Sequence, residues 1–382
     1  MNIILAAGGT GGHMIPAHAL AAELTRRKIG VALITDERGA RIPGLLDGVP
    51  VHILPAGRLG GGPIGWLKAV GAVIKGRGQA RRLYREFKPD AVVGFGGYPA
   101  FPSLLAASAA KIPTILHEQN AVLGRVNRLL AGEAEAIATA YPEVDRLKPA
   151  YLAKVELVGN PVREAVARLG EAPLPPFDEV APLKILVTGG SQGASILGMV
   201  VPAGLGKLEP SIRHRLQVVQ QCRPDDIVAV RASYAALKIP AELMTYITDM
   251  PAKLAEAHLI IARAGASTIA ELTAAGRPAI LIPLPSATDD HQTANAREMA
   301  KAGGARMIVQ SEFTPETLAR QIEALAHDPE ALANAAARSL SVGRPNAASD
   351  LADLVERIAG GAVLVGPEKV ATPSAMPVGV PA

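Results

Sequence analysis

The chain has 382 residues, 49% hydrophobic and only 3% aromatic, so two or three domains with cores of Ala, Val, Leu and Ile are expected. Its only cysteine, Cys222, excludes an internal disulfide and is typical of a reducing compartment. Residues 1–160 hold 19 Lys and Arg against 12 Asp and Glu, which predicts an anionic partner for this half.

Strand-like and helix-like segments alternate along the chain, which predicts right-handed βαβ units and an α/β fold with parallel sheets. The strands predicted in the first half are Asn2–Ala6, Val31–Thr35, Val51–Leu54, Ala91–Phe95, Thr114–His117, Ala136–Ala138 and Lys154–Leu157. Those in the second half are Leu183–Thr188, Gln217–Gln220, Ala241–Thr245, Leu259–Ala262, Ala279–Ile282 and Ala305–Val309. Helices are predicted at Pro16–Arg27, with Pro16 in the first turn, and at Pro315–Ala326, Pro329–Ser339 and Ala347–Ile358.

The composition divides the chain into two domains. Residues 1–165 form the first and 183–340 the second, and a linker at 166–182 is marked by four prolines. A helix at 341–358 is expected to return to the first domain, and the small-residue tail at 359–382 is expected to be disordered.

No segment is predicted to span a membrane as a helix. The apolar run near the amino terminus is short and has no basic residues before it, so no signal peptide is expected. Two longer uncharged stretches, 91–110 and 185–206, contain several glycines and prolines. Such residues interrupt a spanning helix, so each stretch is predicted to form a strand, a loop and a helix start.

Two glycine turns, Gly8–His13 and Gly189–Ala194, each follow an apolar strand and precede a helix-compatible run. Backbone N–H groups at such a turn favour an anion, so two phosphate-binding places are predicted. Neither turn matches a dinucleotide fingerprint, because Met14 and Gln192 stand where glycines belong. Asp36 ends the second strand, where a ribose-binding acid would lie, so a nicotinamide cofactor stays open as an alternative.

His13 closes the first turn, where a helix begins above the strand ends. A neutral imidazole there could accept a proton from an attacking hydroxyl near neutral pH. The alternative is a helix-capping or packing role. The loop at Gly94–Pro102 and the segment His117–Asn120 also follow strands, at the edge where an open α/β sheet binds its ligands, although ordinary turns would have the same pattern.

The second domain carries polar groups after its strands. Glu271 lies about one turn inside a predicted helix and could accept two ribose hydroxyls, or could simply interact with the helix dipole. Gln292 and Asn295 share a helical face and could bind sugar hydroxyls, or could be solvated. Asp289 and its two neighbours are too close in sequence to converge on one ion, so no metal is predicted.

Residues 58–88 hold eight Lys and Arg and one acid, interleaved with apolar residues and the only tryptophan. This pattern predicts a surface that enters an anionic headgroup layer; a solvated amphipathic helix packed on the sheet is the alternative. Nucleic acid is not predicted, because no stacking or groove-reading motif accompanies the charge. The predicted membrane patch consists of Ile64, Trp66, Leu67, Lys68, Lys75 and Arg77.

Taken together, these motifs resemble the bacterial glycosyltransferases that add N-acetylglucosamine to undecaprenyl-diphospho-N-acetylmuramoyl-pentapeptide (lipid I), giving the peptidoglycan precursor lipid II. The resemblance covers about 1–358. It is carried by GGTGGH at Gly8–His13, GFGGYPAFP at Gly94–Pro102, HEQN at His117–Asn120, VGNPVR at Val158–Arg163, GGSQGA at Gly189–Ala194, RAGASTIAE at Arg263–Glu271 and DHQTANA at Asp290–Ala296.

The resemblance implies a GT-B fold, in which two Rossmann-like domains face each other across a cleft. It implies UDP-N-acetylglucosamine as the donor and no cofactor. The implied donor-binding residues are Thr10, Gly11, Gly12, Asn120, Arg163, Ser191, Gln192, Ile247, Ala266, Ser267, Thr268, Glu271, Gln292 and Asn295. The implied acceptor-binding residues are Gly11, Gly12, His13, Tyr98, Asn120 and Asn127, with His13 as the candidate base.

The resemblance also implies a peripheral protein at the cytoplasmic face of the inner membrane, with partners in the cell-wall or division machinery. Three other functions stay open. A UDP-N-acetylglucosamine 2-epimerase would use the same fold, a nicotinamide oxidoreductase would bind NAD, and a non-catalytic lipid-binding protein would keep the fold without turnover.

Overall fold

The computed structural model describes residues 1–9, 11–42, 48–55, 62–178, 180–190 and 193–362, with the main chain alone at 62–68. Within these residues the chain forms two parallel sheets, each covered by helices. The predicted α/β class and GT-B architecture are confirmed. No helix of the described part is both long and apolar enough to cross a membrane.

The first sheet has seven strands in the order β3-β2-β1-β4-β5-β6-β7. Their bounds are β1 Asn2–Ala6, β2 Gly30–Thr35, β3 Val51–Ile53, β4 Ala91–Gly94, β5 Thr114–Glu118, β6 Ala136–Thr139 and β7 Val155–Leu157. The order reverses beside β1, which pairs with β2 on one side and β4 on the other. The loops after β1 and β4 therefore lie at a topological switch point, where open α/β sheets bind ligands.

The second sheet has six strands in the order β10-β9-β8-β11-β12-β13. Their bounds are β8 Leu183–Thr188, β9 Leu216–Gln221, β10 Ala241–Met244, β11 Leu259–Ala262, β12 Ala279–Leu281 and β13 Ala305–Met307. The switch point here lies between β8 and β11, so the loops after these two strands adjoin.

Fourteen α-helices cover the two sheets within the described residues. They are α1 Gly11–Arg26, α2 Gly62–Phe87, α3 Ala100–Ala109, α4 Arg125–Leu130, α5 Glu164–Ala167, α6 Ser195–Gly206, α7 Pro210–Arg213, α8 Ile227–Ala236, α9 Met250–Glu256, α10 Ala266–Ala274, α11 His291–Ala302, α12 Pro315–Ala326, α13 Pro329–Ser341 and α14 Ala347–Ala359. The helix α14 follows the second sheet in sequence but packs against α1 of the first.

The strands are apolar on both sides because helices cover both faces of each sheet. In β1, Ile3 and Leu5 pack in one core with Leu351 of α14. Ile4 of the same strand faces the other core, with Tyr84 of α2. All three strand residues are fully buried, which holds the glycine turn after β1 on a rigid base.

Most predicted boundaries agree to within one or two residues, but the start of α1 and the start of the linker differ more. The helix α1 begins at Gly11, five residues before Pro16, because the glycine turn runs directly into the helix. Pro16 is therefore an interior residue rather than part of the first turn. The start of the predicted linker is also ordered: Val166 is fully buried in the core of the second sheet, and a 3₁₀ helix spans Arg168–Glu171. Of the predicted tail, Ala359 ends α14 and 363–382 lie outside the described residues.

Candidate active site

Two glycine loops meet back to back above the first sheet. The N–H of Gly8 donates to the carbonyl of Gly96 over 2.9 Å. A Cβ atom at Gly97 would lie 2.5 Å from the Cα atom of Gly8, closer than real Cβ contacts allow, and the φ angle of Gly97 is +80°. The loops after β1 and β4 can approach this closely only because the residues that touch, Gly8 on one loop and Gly97 on the other, have no side chains.

His13 lies in the first turn of α1, against this pair of loops. A Cβ atom at Gly96 would lie 3.2 Å from the imidazole Cε1, so the bare glycine leaves room for the ring. The Nδ1 atom of His13 lies 3.1 Å from Oε1 of Gln119. Burial lowers the pKa of His13, while the Gln119 hydrogen bond and the Glu118 carboxylate oppose that shift. A lowered pKa keeps the imidazole neutral, and so able to accept a proton, near neutral pH.

Glu118, at the end of β5, organises the loop that follows it. Its Oε1 accepts from the main-chain N–H of Asn120 at 3.1 Å, and its Oε2 accepts from the N–H of Gly124 at 2.7 Å and from Asn127 at 2.8 Å. Asn127 is 2% exposed and holds this carboxylate, so it supports the loop, and its implied role in acceptor binding stays a prediction. Glu118 belongs to the segment His117–Asn120 that its position at a strand end singled out, but no role was predicted for it.

Asn295 links the two sheets. Its Oδ1 accepts from the main-chain N–H of Ala121 at 2.8 Å, and its Nδ2 donates to Oδ1 of Asn120 at 3.0 Å. Its side chain is fully buried by these contacts. The amide of Asn295 is thus engaged across the domain boundary, and its implied role in binding the donor sugar stays a prediction. Gln292, one turn earlier, is only half-buried, and its Oε1 accepts from the N–H of Leu284 at 3.0 Å.

A second polar link joins Arg163 to Glu271 in α10. Both Nε and Nη2 of the guanidinium donate to the same carboxylate oxygen, at 3.1 and 2.7 Å. Burial raises the pKa of Glu271, and the Arg163 charge opposes that shift. Among the described residues, the second carboxylate oxygen accepts no hydrogen bond, so one oxygen is held and the other is available.

Asp289 forms a third link between the domains, a role that the sequence did not predict. Its carboxylate contacts Arg128 at 2.6 Å and Arg146 at 2.9 Å, both in the first domain. Asp289 and Asp290 have φ angles of +56° and +54°, unusual for residues other than glycine. No group of three or more His, Cys, Asp or Glu side chains in the described part of the chain is arranged to hold a metal ion.

The glycine turn of the second sheet precedes α6. Gly190 and Gly193 have φ angles of +75° and +67°, and a Cβ atom at Gly189 would lie 2.5 Å from the main-chain nitrogen of Ala194. The side chain of Gln221 accepts from the N–H of Gly189 at 3.2 Å. The turn therefore has the tight backbone predicted for an anion cradle. The helix itself begins only at Ser195, and the implied donor ligands Ser191 and Gln192 lie outside the described residues, as does Thr10.

The remaining implied residues take varied positions. Ile247 is buried in the second core, so only its main chain could meet a ligand, and Ala266 is buried at the start of α10. The buried hydroxyl of Ser267 has no hydrogen-bond partner among the described residues, whereas Thr268 beside it is half-buried. Tyr98 is exposed, and Gly11 and Gly12 are half-buried at the start of α1.

In the predicted membrane patch, Lys75 is exposed and Arg77 is half-buried on α2, while the side chains of Ile64, Trp66, Leu67 and Lys68 lie outside the described part.

Comparison with known proteins agrees with this geometry. Residues 3–139 match the glycosyltransferase family 28 N-terminal domain, and residues 184–358 match the family 28 C-terminal domain. The transferase named UDP-N-acetylglucosamine–N-acetylmuramyl-(pentapeptide) pyrophosphoryl-undecaprenol N-acetylglucosamine transferase from Erythrobacter litoralis is 63% identical over 359 residues, covering 94% of this chain and 90% of its own. The protein of the same name from Novosphingobium aromaticivorans is 64% identical over 355 residues, covering 93% and 92%.

Solved structures of similar fold include a transferase and an epimerase. The crystal structure of Acinetobacter baumannii MurG is 32% identical, with a TM-score of 0.74, and covers 93% of this chain and 99% of its own. A UDP-N-acetylglucosamine 2-epimerase from Neisseria meningitidis has a TM-score of 0.64 at 14% identity, covering 94% and 100%, a likeness of fold alone. With both family 28 domains matched and relatives above 60% identity over nearly the whole chain, this protein belongs to the family of UDP-N-acetylglucosamine–N-acetylmuramyl-(pentapeptide) pyrophosphoryl-undecaprenol N-acetylglucosamine transferases.

Proposed function

We propose that this chain transfers N-acetylglucosamine from UDP-N-acetylglucosamine to the C4 hydroxyl of the muramoyl sugar in lipid I, with His13 as the general base. As a family member it is a UDP-N-acetylglucosamine-dependent hexosyltransferase. The observation that carries the base assignment is the half-buried imidazole between the two glycine loops, with Nδ1 held by Gln119 and its pKa lowered by burial.

The proposed chemistry is a single displacement that inverts the anomeric centre. The C4 hydroxyl attacks C1 of the donor sugar as its proton passes to His13, and the C1–O bond to UDP breaks with the electron pair leaving on the diphosphate. Charge grows on that diphosphate, which the amino end of α6 and the turn at Gly190 would stabilise. Closure of the two domains would exclude water, which would otherwise hydrolyse the donor.

In this proposal the second domain holds the donor. The free carboxylate oxygen of Glu271 supports a role in binding ribose hydroxyls, since a carboxylate accepts from two such groups. Within the described part of the chain, the hydroxyl of Ser267 has no partner and the amide nitrogen of Gln292 donates no hydrogen bond, and both observations also support binding on this side. We place the division between the domains in the segment 166–182, with the helix at 341–358 returning to the first domain.

We further propose that α2 attaches the protein to the cytoplasmic face of the inner membrane, where lipid I would be met. Val70 and Ile74 lie one turn apart on this helix and are 40% and 67% exposed, beside the exposed Lys75. Exposed apolar side chains next to cations favour an anionic lipid surface. We also propose partners in the cell-wall or division machinery, on the basis of the family resemblance alone.

Replacing Trp66 and Lys68 together with alanine is expected to weaken binding to vesicles of anionic phospholipid at least about fivefold at low salt, because an aromatic anchor and a cation are lost. Co-sedimentation measures the effect. The matched control replaces Val228 and Arg231, an exposed apolar residue and a cation on α8, and should leave binding unchanged. Vesicle binding equal to that of the parent chain would refute the membrane role of this helix.

Incubation with labelled UDP-N-acetylglucosamine and a short-chain lipid I analogue tests the function itself. Label that moves to the lipid, with release of UDP, is the expected result. Free UDP-N-acetylmannosamine would instead indicate an epimerase. Lipid binding without turnover would indicate a binding protein, and binding of NAD in a parallel titration would indicate an oxidoreductase. Any of these three outcomes without transfer overturns the proposal.

A further inference from the structure

A continuous chain of hydrogen bonds runs from a main-chain carbonyl to the imidazole of His13. His117 Nε2 lies 2.9 Å from the carbonyl oxygen of Gly159. Its other ring nitrogen, Nδ1, lies 2.9 Å from the amide nitrogen of Gln119, which also lies 2.9 Å from the carbonyl oxygen of His117. The amide oxygen of Gln119 completes the chain, 3.1 Å from Nδ1 of His13.

The donor and acceptor of each hydrogen bond in this series follow from the main-chain carbonyl oxygens of Gly159 and His117, which can only accept. A carbonyl only accepts, so the Gly159 oxygen requires that Nε2 of His117 carry the proton. Burial lowers the pKa of His117 to about 4, so near neutral pH the ring is uncharged and its Nδ1 is a lone-pair acceptor. The nitrogen of the Gln119 amide therefore faces two acceptors, the ring Nδ1 and the carbonyl of His117, and its oxygen must face His13.

An amide oxygen likewise only accepts, so Nδ1 of His13 must donate to Gln119. We propose that Gln119 is a positioning residue that holds His13 in the Nδ1–H tautomer and so leaves the lone pair on Nε2. This inference rests on the proposed function, in which His13 takes the proton from the acceptor hydroxyl. No side chain or main-chain N–H among the described residues donates to Nε2, and the carbonyl of Phe95, which also faces the ring, can only accept.

The hydrogen-bond partners around position 119 favour glutamine over glutamate, a side chain of similar size. Gln119 is 2% exposed, so water does not replace either half of its amide. A glutamate would place an acceptor oxygen against both acceptors of His117, whereas glutamine satisfies a donor on one side and two acceptors on the other. A neutral amide also orients the imidazole without adding the charge of a carboxylate.

The tautomer can be observed directly by ¹⁵N NMR of the full chain labelled at histidine, at pH 8, because protonated and bare ring nitrogens have well separated shifts. The His13 signals are assigned by their loss in His13→Gln. The expected spectrum has a protonated Nδ1 and a bare Nε2 in the parent chain, and a mixture of tautomers in Gln119→Ala. A parent chain with the proton on Nε2, or a Gln119→Ala spectrum identical to that of the parent, overturns the inference.

Kinetics separate positioning from donor binding. Gln119→Ala and Gln119→Glu are both expected to lower kcat about 10- to 100-fold while KM for UDP-N-acetylglucosamine stays within about twofold. Gln321→Ala, which removes a half-buried glutamine that accepts a hydrogen bond from Arg306, is the control and should retain kcat. A kcat equal to that of the parent in Gln119→Ala contradicts the inference. A parent chain that has the expected tautomer but transfers no sugar refutes the proposed function instead, so the two failures are distinguishable.

Discussion

Replacing His13 with alanine is expected to lower kcat for sugar transfer about 10²- to 10⁴-fold, the range for loss of a general base. Because the groups proposed to hold the donor through side chains, Glu271, Ser267 and Gln292, belong to the second domain, and the ring contacts loops of the first sheet, KM for UDP-N-acetylglucosamine should change less than about threefold. Steady-state kinetics with a soluble lipid I analogue measures both constants. His214→Ala, at an exposed histidine, is the control and should behave like the parent.

The pH dependence gives a second test of the same residue. A base must be unprotonated, so the rate falls as pH drops through its pKa. Burial lowers the pKa of His13 against the opposing effects of Gln119, Glu118 and the Phe95 carbonyl, and His291 also lowers it. The acid limb of kcat should therefore have its midpoint below 6.5, the ordinary value for histidine. Unchanged turnover in His13→Ala, or the same acid limb in that variant, would remove His13 from this role.

Gly97→Ala should disrupt the loop that supports His13. The new methyl group would lie 2.5 Å from the Cα atom of Gly8, and the residue would keep a φ angle of +80°. Backbone contacts of this kind cannot be relieved by a side-chain rotation, so the free energy of unfolding should fall by about 2–4 kcal/mol. Displacement of the loop should also lower kcat at least about tenfold, because small misplacements of catalytic groups are costly. Urea denaturation and the transfer assay measure the two effects.

The matched control is Gly78→Ala on α2. A Cβ atom there meets nothing within 4 Å, and the glycine lies inside a helix. Alanine should therefore raise the free energy of unfolding by about 0.5–1 kcal/mol through helix propensity. If Gly97→Ala proved as stable and as active as Gly78→Ala, the close packing of the two glycine loops would not matter for the site.

Local signals made much of the fold predictable from the sequence. The helix at Pro315–Ala326 was predicted with its observed bounds, because Thr314 caps it by accepting from the N–H of Thr317 at 3.2 Å and proline suits its first turn. The strands were predicted to within one or two residues, since buried parallel strands are continuous apolar runs. Pro16 misled the prediction of α1, because the same proline signal also occurs inside a helix that begins with a glycine turn.

The site was predictable only where chemistry and strand ends coincide. His13 and the loop at 94–102 were identified in this way. The partners of Asp289 were not, because Arg128 and Arg146 lie more than a hundred residues away and no local pattern predicts which charges meet. Asn295 was placed on a polar helical face by its spacing, but docking of the first domain buries it. Burial by a distant segment leaves no periodic signal in the sequence.

Calorimetric titration with UDP-N-acetylglucosamine tests most directly whether the second domain holds the donor and the first supplies the base. The parent chain should bind at a single site. Glu271→Gln should raise Kd about 10- to 100-fold, the range for loss of a charged hydrogen-bond partner, while His13→Ala should leave Kd within about threefold. No heat of binding in the parent chain, or a Glu271→Gln titration that superimposes on that of the parent, would contradict the account.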